Sequence, residues 1–202
     1  MKCIALLSGG FDSAVAISLA RKNKIEVIAL HCTNYPFTDS NPETKALALA
    51  RALGVKKMFI ADCGPALEKV AQKCDPKHYF VHLKRLFYAL AQKLAEQEGA
   101  DFILTGENLA QVSSQTLQNL SVIGSSVFIP VLRPLLSWDK QEIINEAKKI
   151  GTYEISCGPE QCDVLGSKHP STQANLELIE REEDAIQFSK LAEEIFQKMR
   201  AS

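Results

Sequence analysis

Two apolar patterns alternate along the chain. Short unbroken runs bounded by turn residues read as buried strands. Longer stretches with apolar positions three and four apart read as helices. The first run is Lys2 to Ser8, followed by a helix from Asp12 to Lys22. Ile25 to Cys32 is a second strand and Thr33 to Asn41 a loop. Asn41 suits an N-cap, Pro42 the first helical position, and Gly54 the stop of a helix that reaches Leu53. Lys57 to Asp62 is a third strand, and a short helix from Ala66 to Lys73 breaks at Cys74-Asp75-Pro76. Tyr79 to Glu98 is a long amphipathic helix closed by Gly99. Phe102 to Thr105 and Val127 to Leu132 are strands four and five, with a helix from Gln115 to Val122 between them. A further helix opens at Ser137 or Trp138 and ends near Lys149. Gly151 to Thr172 is irregular, and Leu176 to Met199 reads as a charged amphipathic helix with room for one break.

Strands alternating with helices predict an α/β fold: a doubly wound, mostly parallel five-stranded sheet with helices on both faces. Residues 1–175 form the expected main domain, and 176–202 a helical extension packed on it. In such sheets ligands sit beyond the strand carboxyl ends, near the point where strand order reverses. That draws attention to the turns after strands one and four.

After strand one comes Ser8-Gly9-Gly10-Phe11-Asp12-Ser13. A tight Gly-containing turn into a helix aims backbone N–H groups and a helix N-terminus at one spot, which suits an anion. Ser8 and Ser13 add hydroxyls. Asp12 would repel a bare phosphate, but fits a ligand that brings Mg²⁺. The same residues also suit an ordinary strand–helix connection with Asp12 as N-cap. After strand four, Thr105-Gly106-Glu107-Asn108-Leu109 runs on through Gln115. Here Gly106 permits close backbone approach, Glu107 could hold a metal or an incoming hydroxyl, and Gln115 could read a base or ribose edge. The plainer alternative is a solvated loop with Ser113 or Ser114 capping the next helix.

Composition narrows the class. A chain of 202 residues, 46% hydrophobic and 23% charged, suits a water-soluble globular domain with a sizeable core. No apolar run approaches the roughly 20 residues of a membrane span, and strand pattern starts at once, without a signal-peptide pattern. Net charge is −1, so the chain is not expected to be a stand-alone nucleic-acid binder. Six scattered Cys argue for a reduced, cytoplasmic setting over a disulfide scaffold.

The loop Ser8 to Ser13 resembles the SGGxDS pyrophosphate loop (PP-loop) of the ATP pyrophosphatases. The stretch from Thr105 to Leu117 is similar to the TGExLGQVxSQT segment of the tRNA 4-thiouridine synthetases, the ThiI family. Phe128 to Leu135 with Asp139-Lys140 resembles that family's PVLRPL…DK. Ile150 to Ser156 resembles its IGTYxIS, and Gln161-Cys162-Asp163 through Lys168-His169-Pro170 its Cys-containing segment ending in KHP.

The resemblance implies a PP-loop enzyme that uses Mg-ATP to adenylate O4 of a uridine in tRNA, after which a sulfur nucleophile displaces AMP. By motif position Leu6, Leu7, Ser8, Gly9, Gly10, Asp12, Ser13, His31, Cys32, Lys84, Gly106 and Gln115 contact ATP, with Asp12 supporting Mg²⁺. Lys140 and Cys162 are implied as catalytic. A Cys162 thiolate near Lys168 and His169 would be more reactive, and Cys157 would resolve its persulfide through a disulfide. An iron–sulfur cluster held by Cys74, Cys157 and Cys162 is a further arrangement without motif support. The family's ferredoxin-like and THUMP region is expected to be missing ahead of residue 2. A separate THUMP-type protein would then present the tRNA, a cysteine desulfurase would supply sulfur, and the chain could pair as a homodimer. Two other readings stay open: an adenylating enzyme for a small metabolite or sulfur carrier, and a nucleotide-binding subunit without turnover.

Overall fold

The computed structural model describes residues 1–109, 115–157, 165–167 and 169–202. In chain order the elements are β1 (Lys2–Leu6), α1 (Phe11–Lys22), β2 (Glu26–Thr33), α2 (Asn41–Ala52), β3 (Lys57–Asp62), α3 (Gly64–Lys73), α4 (Tyr79–Glu98), β4 (Phe102–Leu104), α5 (Leu117–Gly124), β5 (Val131–Leu132), α6 (Lys140–Lys149), α7 (Tyr153–Ser156), α8 (Leu176–Ala185), α9 (Phe188–Phe196) and β6 (Arg200–Ala201). Among the described residues they build one six-stranded sheet in the order β5-β4-β1-β2-β3-β6.

Strands β1 to β5 are parallel, with Ile4 opposite Ile28 and Ile103. Strand side chains alternate between faces. Ile4, Ile28, Leu30, Phe59 and Ile103 enter a core with α4, α8 and α9. Cys3, Ala5, Val27, Ala29, Met58 and Ile60 enter a second core with α1, α2 and α6. Both faces are buried, which is why the strands read as continuous apolar runs. Helix α1 is buried around most of its circumference, wedged between the sheet and α6. Helix α4 ends at Gly99, whose φ of 65° gives the left-handed stop.

The sheet has six strands, not five. Ala201 and Arg200 pair antiparallel with Phe59 and Ile60, covering the otherwise open edge of β3. A two-residue strand carries no periodicity for a sequence to show. Strand β5 is also shorter than expected. Pro130 lacks an N–H, and the segment before it forms turns that leave Phe128 exposed. The C-terminal helix does break once. Gln187 adopts a left-handed conformation, so that Ile186 and Phe188 both pack inward. No helix among the described residues is long and apolar enough to cross a membrane.

The chain moves from β1 to β2 and β3 in one direction, then returns to place β4 on the other side of β1. The order therefore reverses between β1 and β4, and the two loops singled out from sequence flank that crevice.

Candidate functional site

The entrance to the first loop is fixed from both sides. Leu7 donates its N–H to the Leu30 carbonyl at 2.9 Å, and His31 Nδ1 donates to the Leu7 carbonyl at 2.8 Å. Burial lowers the His31 pKa, so the ring is neutral. Its proton sits on Nδ1, leaving the buried Nε2 as an acceptor without a hydrogen-bond partner. The structure thus brings Leu7 and His31 together through each other.

Beyond Leu7, the Ser8 hydroxyl accepts from Gly10 N at 3.3 Å, and the Ser13 hydroxyl donates to the Gly10 carbonyl at 3.0 Å. Gly9 has φ of 98°, a conformation strained for any other residue. Gly10 is the N-cap of α1, and no side chain caps the helix there. The first-turn N–H groups therefore lack the usual side-chain acceptor and suit an incoming anion. Asp12 lies in that first turn. Gly106, from the loop after β4, rests on it: a Cβ there would lie 2.4 Å from the Asp12 carbonyl carbon and 2.6 Å from Ser13 N. The close approach read into Gly106 is an approach to the first loop's own backbone.

Glu107 is held in place by residues from other elements. It is 3% exposed and surrounded by partners. Tyr88 donates its hydroxyl at 2.5 Å, Arg133 Nε donates at 2.9 Å, and Lys84 Nζ lies 3.2 Å from the other carboxylate oxygen. Burial would raise the Glu107 pKa, but Lys84, Tyr88 and Arg133 outweigh it and hold the carboxyl below its ordinary range. The carboxylate therefore anchors Lys84 through Oε1, which makes no hydrogen bond, while Tyr88 and Arg133 share Oε2. The neighbouring Arg85 is buried and bonded to both oxygens of Glu183 at 2.6 and 2.8 Å.

Gln115 turns back on its own loop, accepting from Asn108 N at 2.9 Å. Asn108 donates its amide to the Leu135 carbonyl at 2.7 Å and to the Trp138 carbonyl. Helix α5 is capped by Thr116, which accepts from Asn119 N; Ser113 and Ser114 lie outside the described residues.

The segment leading toward the predicted sulfur site lies beside the first loop. Phe11 stacks on Tyr153 with ring centroids 5.3 Å apart and 17° between planes. Lys45, whose methylenes lie next to Gly9, donates Nζ to the Ser156 carbonyl at 3.3 Å. A hydrogen bond to the Cys157 thiol raises the Tyr153 pKa, and Cys157 is an exposed free thiol. Cys162 and Lys168 lie outside the described residues; His169 is exposed. Lys140 is exposed at the first position of α6, next to the Asp139–Glu142 capping box. Cys32 is half-buried at the end of β2 and hydrogen-bonds to buried Cys63. Cys74 is buried beside His82 and Glu182. Sequence reasoning missed Lys45, Tyr88, Arg133 and the role of Tyr153. Only the odd apolar Phe11 inside a polar loop hinted at a packing partner.

The profile of the family described as thiamine biosynthesis protein (ThiI) matches residues 1–188. A probable tRNA sulfurtransferase of Moorella thermoacetica is 38% identical over 202 residues, covering 97% of this chain and 52% of its own length. One from Caldanaerobacter subterraneus is 37% identical, covering 94% and 51%. A crystal structure of a 4-thiouridine synthetase–RNA complex with bound ATP superposes with a TM-score of 0.94 at 34% identity, covering all of this chain and 54% of that one. The chain thus spans about half the length of the relatives it matches. A PP-loop after β1, the TGEN loop against it across the strand-order reversal, and a profile match over nearly the whole length make this chain a member of the ThiI family.

Proposed function

We propose that this chain adenylates O4 of a uridine in tRNA at the expense of ATP and then replaces that oxygen with sulfur, as a tRNA sulfurtransferase. The observation that supports this best is the pair of contacts, Phe11 on Tyr153 and Lys45 on Ser156, that hold Cys157 beside the pyrophosphate loop. A loop for ATP alone has no need of a thiol anchored to it.

In this reading the uncapped first turn of α1 and the Gly9-Gly10 backbone receive the phosphates, and Ser8 and Ser13 donate hydroxyls. Lys84, positioned by Glu107, meets the charge that builds up as pyrophosphate leaves. His31 Nε2, Cys32, Leu6, Leu7, Gly106 and Gln115 form the rest of the nucleotide pocket. Asp12 would hold the Mg²⁺ that accompanies ATP, an ion that supplies charge neutralisation when bound. The donor set fits: one carboxylate beside substrate phosphates is a usual Mg²⁺ arrangement.

Sulfur transfer then runs through Cys162. Its persulfide attacks C4 of the adenylated base, AMP leaves, and a C4–S–S–Cys162 linkage forms. The Cys157 thiolate attacks the Cys162 sulfur, closing a Cys157–Cys162 disulfide and releasing 4-thiouridine. An external dithiol reduces the disulfide. Lys140 assists the chemistry from the α6 N-terminus. Residues 1–175 act as the pyrophosphatase domain and 176–202 as its extension. A THUMP-type region or partner presents the tRNA, and a cysteine desulfurase loads the persulfide.

The test supplies unmodified tRNA, Mg-ATP and a persulfide donor, and follows pyrophosphate release and 4-thiouridine separately. Cys162→Ser should release pyrophosphate without thiolating. Thiolation by that variant at the wild-type rate would overturn the sulfur route. Pyrophosphate release without any tRNA dependence would overturn the substrate.

A further inference from the structure

Away from the nucleotide crevice, three metal-ligating side chains, Cys74, His82 and Glu182, meet where α3 passes into α4, with His78 bonded to the last of them. Cys74 is the C-cap of α3, His78 lies in the 3-10 turn Pro76–His78, and His82 is in the first turns of α4. The spacing Cys74-x3-His78-x3-His82 places all three on one side of this connection, and Glu182 reaches them from α8. Glu182 Oε2 lies 2.7 Å from His82 Nε2 and 3.0 Å from His78 Nδ1, and its other oxygen accepts from Asp75 N at 3.1 Å. One ligand atom each from Cys74, His82 and Glu182 fall within 4.8 Å of one another.

His82 is 0% exposed, yet its Nδ1 has no hydrogen-bond partner. The nearest carboxylate to it, Glu183 at 3.5 Å, is already engaged by both arms of Arg85. Burial lowers the His82 pKa, but its polar contacts with Cys74, Glu183 and Glu182 push it up to about 10, so the ring carries a positive charge that a bound divalent ion would replace.

We infer that Cys74, His82 and Glu182 form a binding site for a divalent transition metal of the zinc class, its fourth position left to water. Sulfur, nitrogen and carboxylate donors select this class over Mg²⁺ or Ca²⁺. Zn–N bonds of about 2.0–2.1 Å and a Zn–S bond of about 2.3 Å set tetrahedral ligands about 3.3–3.6 Å apart. The ion would replace the proton between His82 and Glu182, spreading that 2.7 Å pair, while Cys74 closes in. Binding releases that proton and the thiol proton. The site would tie α8 to the α3–α4 connection, a structural role that uses none of the nucleotide-contacting residues.

The experiment is metal analysis of the full chain from zinc-supplemented cells, then chelation and titration with Co(II) alone, followed by absorbance and thermal unfolding. We expect a single ion per chain, a thiolate-to-Co(II) charge-transfer band, and a raised unfolding midpoint. Cys74→Ser should lose the band. Glu182→Gln, which keeps the shape of the side chain, should weaken Co(II) binding at least about tenfold. The Cys157→Ser/Cys162→Ser double variant should keep both band and stoichiometry. No bound ion in folded wild type, a band that persists in Cys74→Ser, one that vanishes in the double variant, or unchanged affinity in Glu182→Gln would each overturn the site. Because the readouts are metal content and spectra, they stand apart from whether the chain thiolates tRNA.

Discussion

Glu107→Gln tests whether a buried carboxylate, and not a ligand-binding one, organises the loop after β4. The substitution keeps the volume and can still accept one hydrogen bond from Tyr88 or Arg133. It leaves Lys84 and Arg133 without their shared counter-charge. Removing one partner from a buried ion pair costs about 3–5 kcal/mol. The Lys84 and Arg133 side chains are 28% and 18% exposed and so partly reach water, which reduces the figure to about 2–3 kcal/mol. In a chain of this size each kcal/mol moves Tm by about 2–4 °C, so Tm should fall by about 4–12 °C. Urea unfolding followed by circular dichroism should show a lower midpoint with an unchanged slope.

The pH dependence carries a sign. Glu107 has a folded pKa held below its ordinary value of 4.5, so its contribution is fully present above that value and is lost as pH falls through the folded one. The gap between wild type and variant should therefore be constant near neutrality and close on acidification. A stability change within about 0.5 kcal/mol at neutral pH, the scale of an ordinary surface substitution, would refute the reasoning. So would a gap that widens in acid.

Three further outcomes follow from the site. Asp12→Ala should abolish pyrophosphate release while leaving the circular dichroism spectrum and urea midpoint close to wild type; near-normal release would remove Asp12 from the chemistry. Gly106→Ala forces a Cβ to within 2.4 Å of the Asp12 backbone, so the two loops must separate. It should cost about 1–3 kcal/mol in urea unfolding and weaken ATP binding measured by calorimetry, and unaltered affinity would count against the packed-loop geometry. Cys157→Ser should support a single round of thiolation but no further turnover without added dithiol, read from the time course of 4-thiouridine; full turnover without reductant would exclude it as the resolving thiol.

The sequence by itself determined the alternation of strands and helices, because both faces of the sheet are buried and the punctuating residues are local. Pro42 sits in the first turn of α2, although Ser40 and not Asn41 is its N-cap, Gly99 closes α4, and the apolar runs stand out between them. It also determined which two loops matter, since parallel strands place ligands at their carboxyl ends, and the motifs there carried the family resemblance. Only the tertiary structure decided what individual polar residues do. Glu107 reads as a ligand holder in a polar loop, but Tyr88, Lys84 and Arg133 converge on it from α4 and from just past β5. Arg85 follows Lys84 in the chain, yet the next position on a helix points elsewhere, and it is buried against Glu183 of α8. The stack of Phe11 on Tyr153, the strand β6 and the meeting of Cys74 with Glu182 likewise join residues far apart in the chain. Periodicity and caps are set by neighbours a few residues away, so a sequence displays them. The partner of a buried charge, thiol or ring is set by packing across the fold, so it appears only when the elements are assembled.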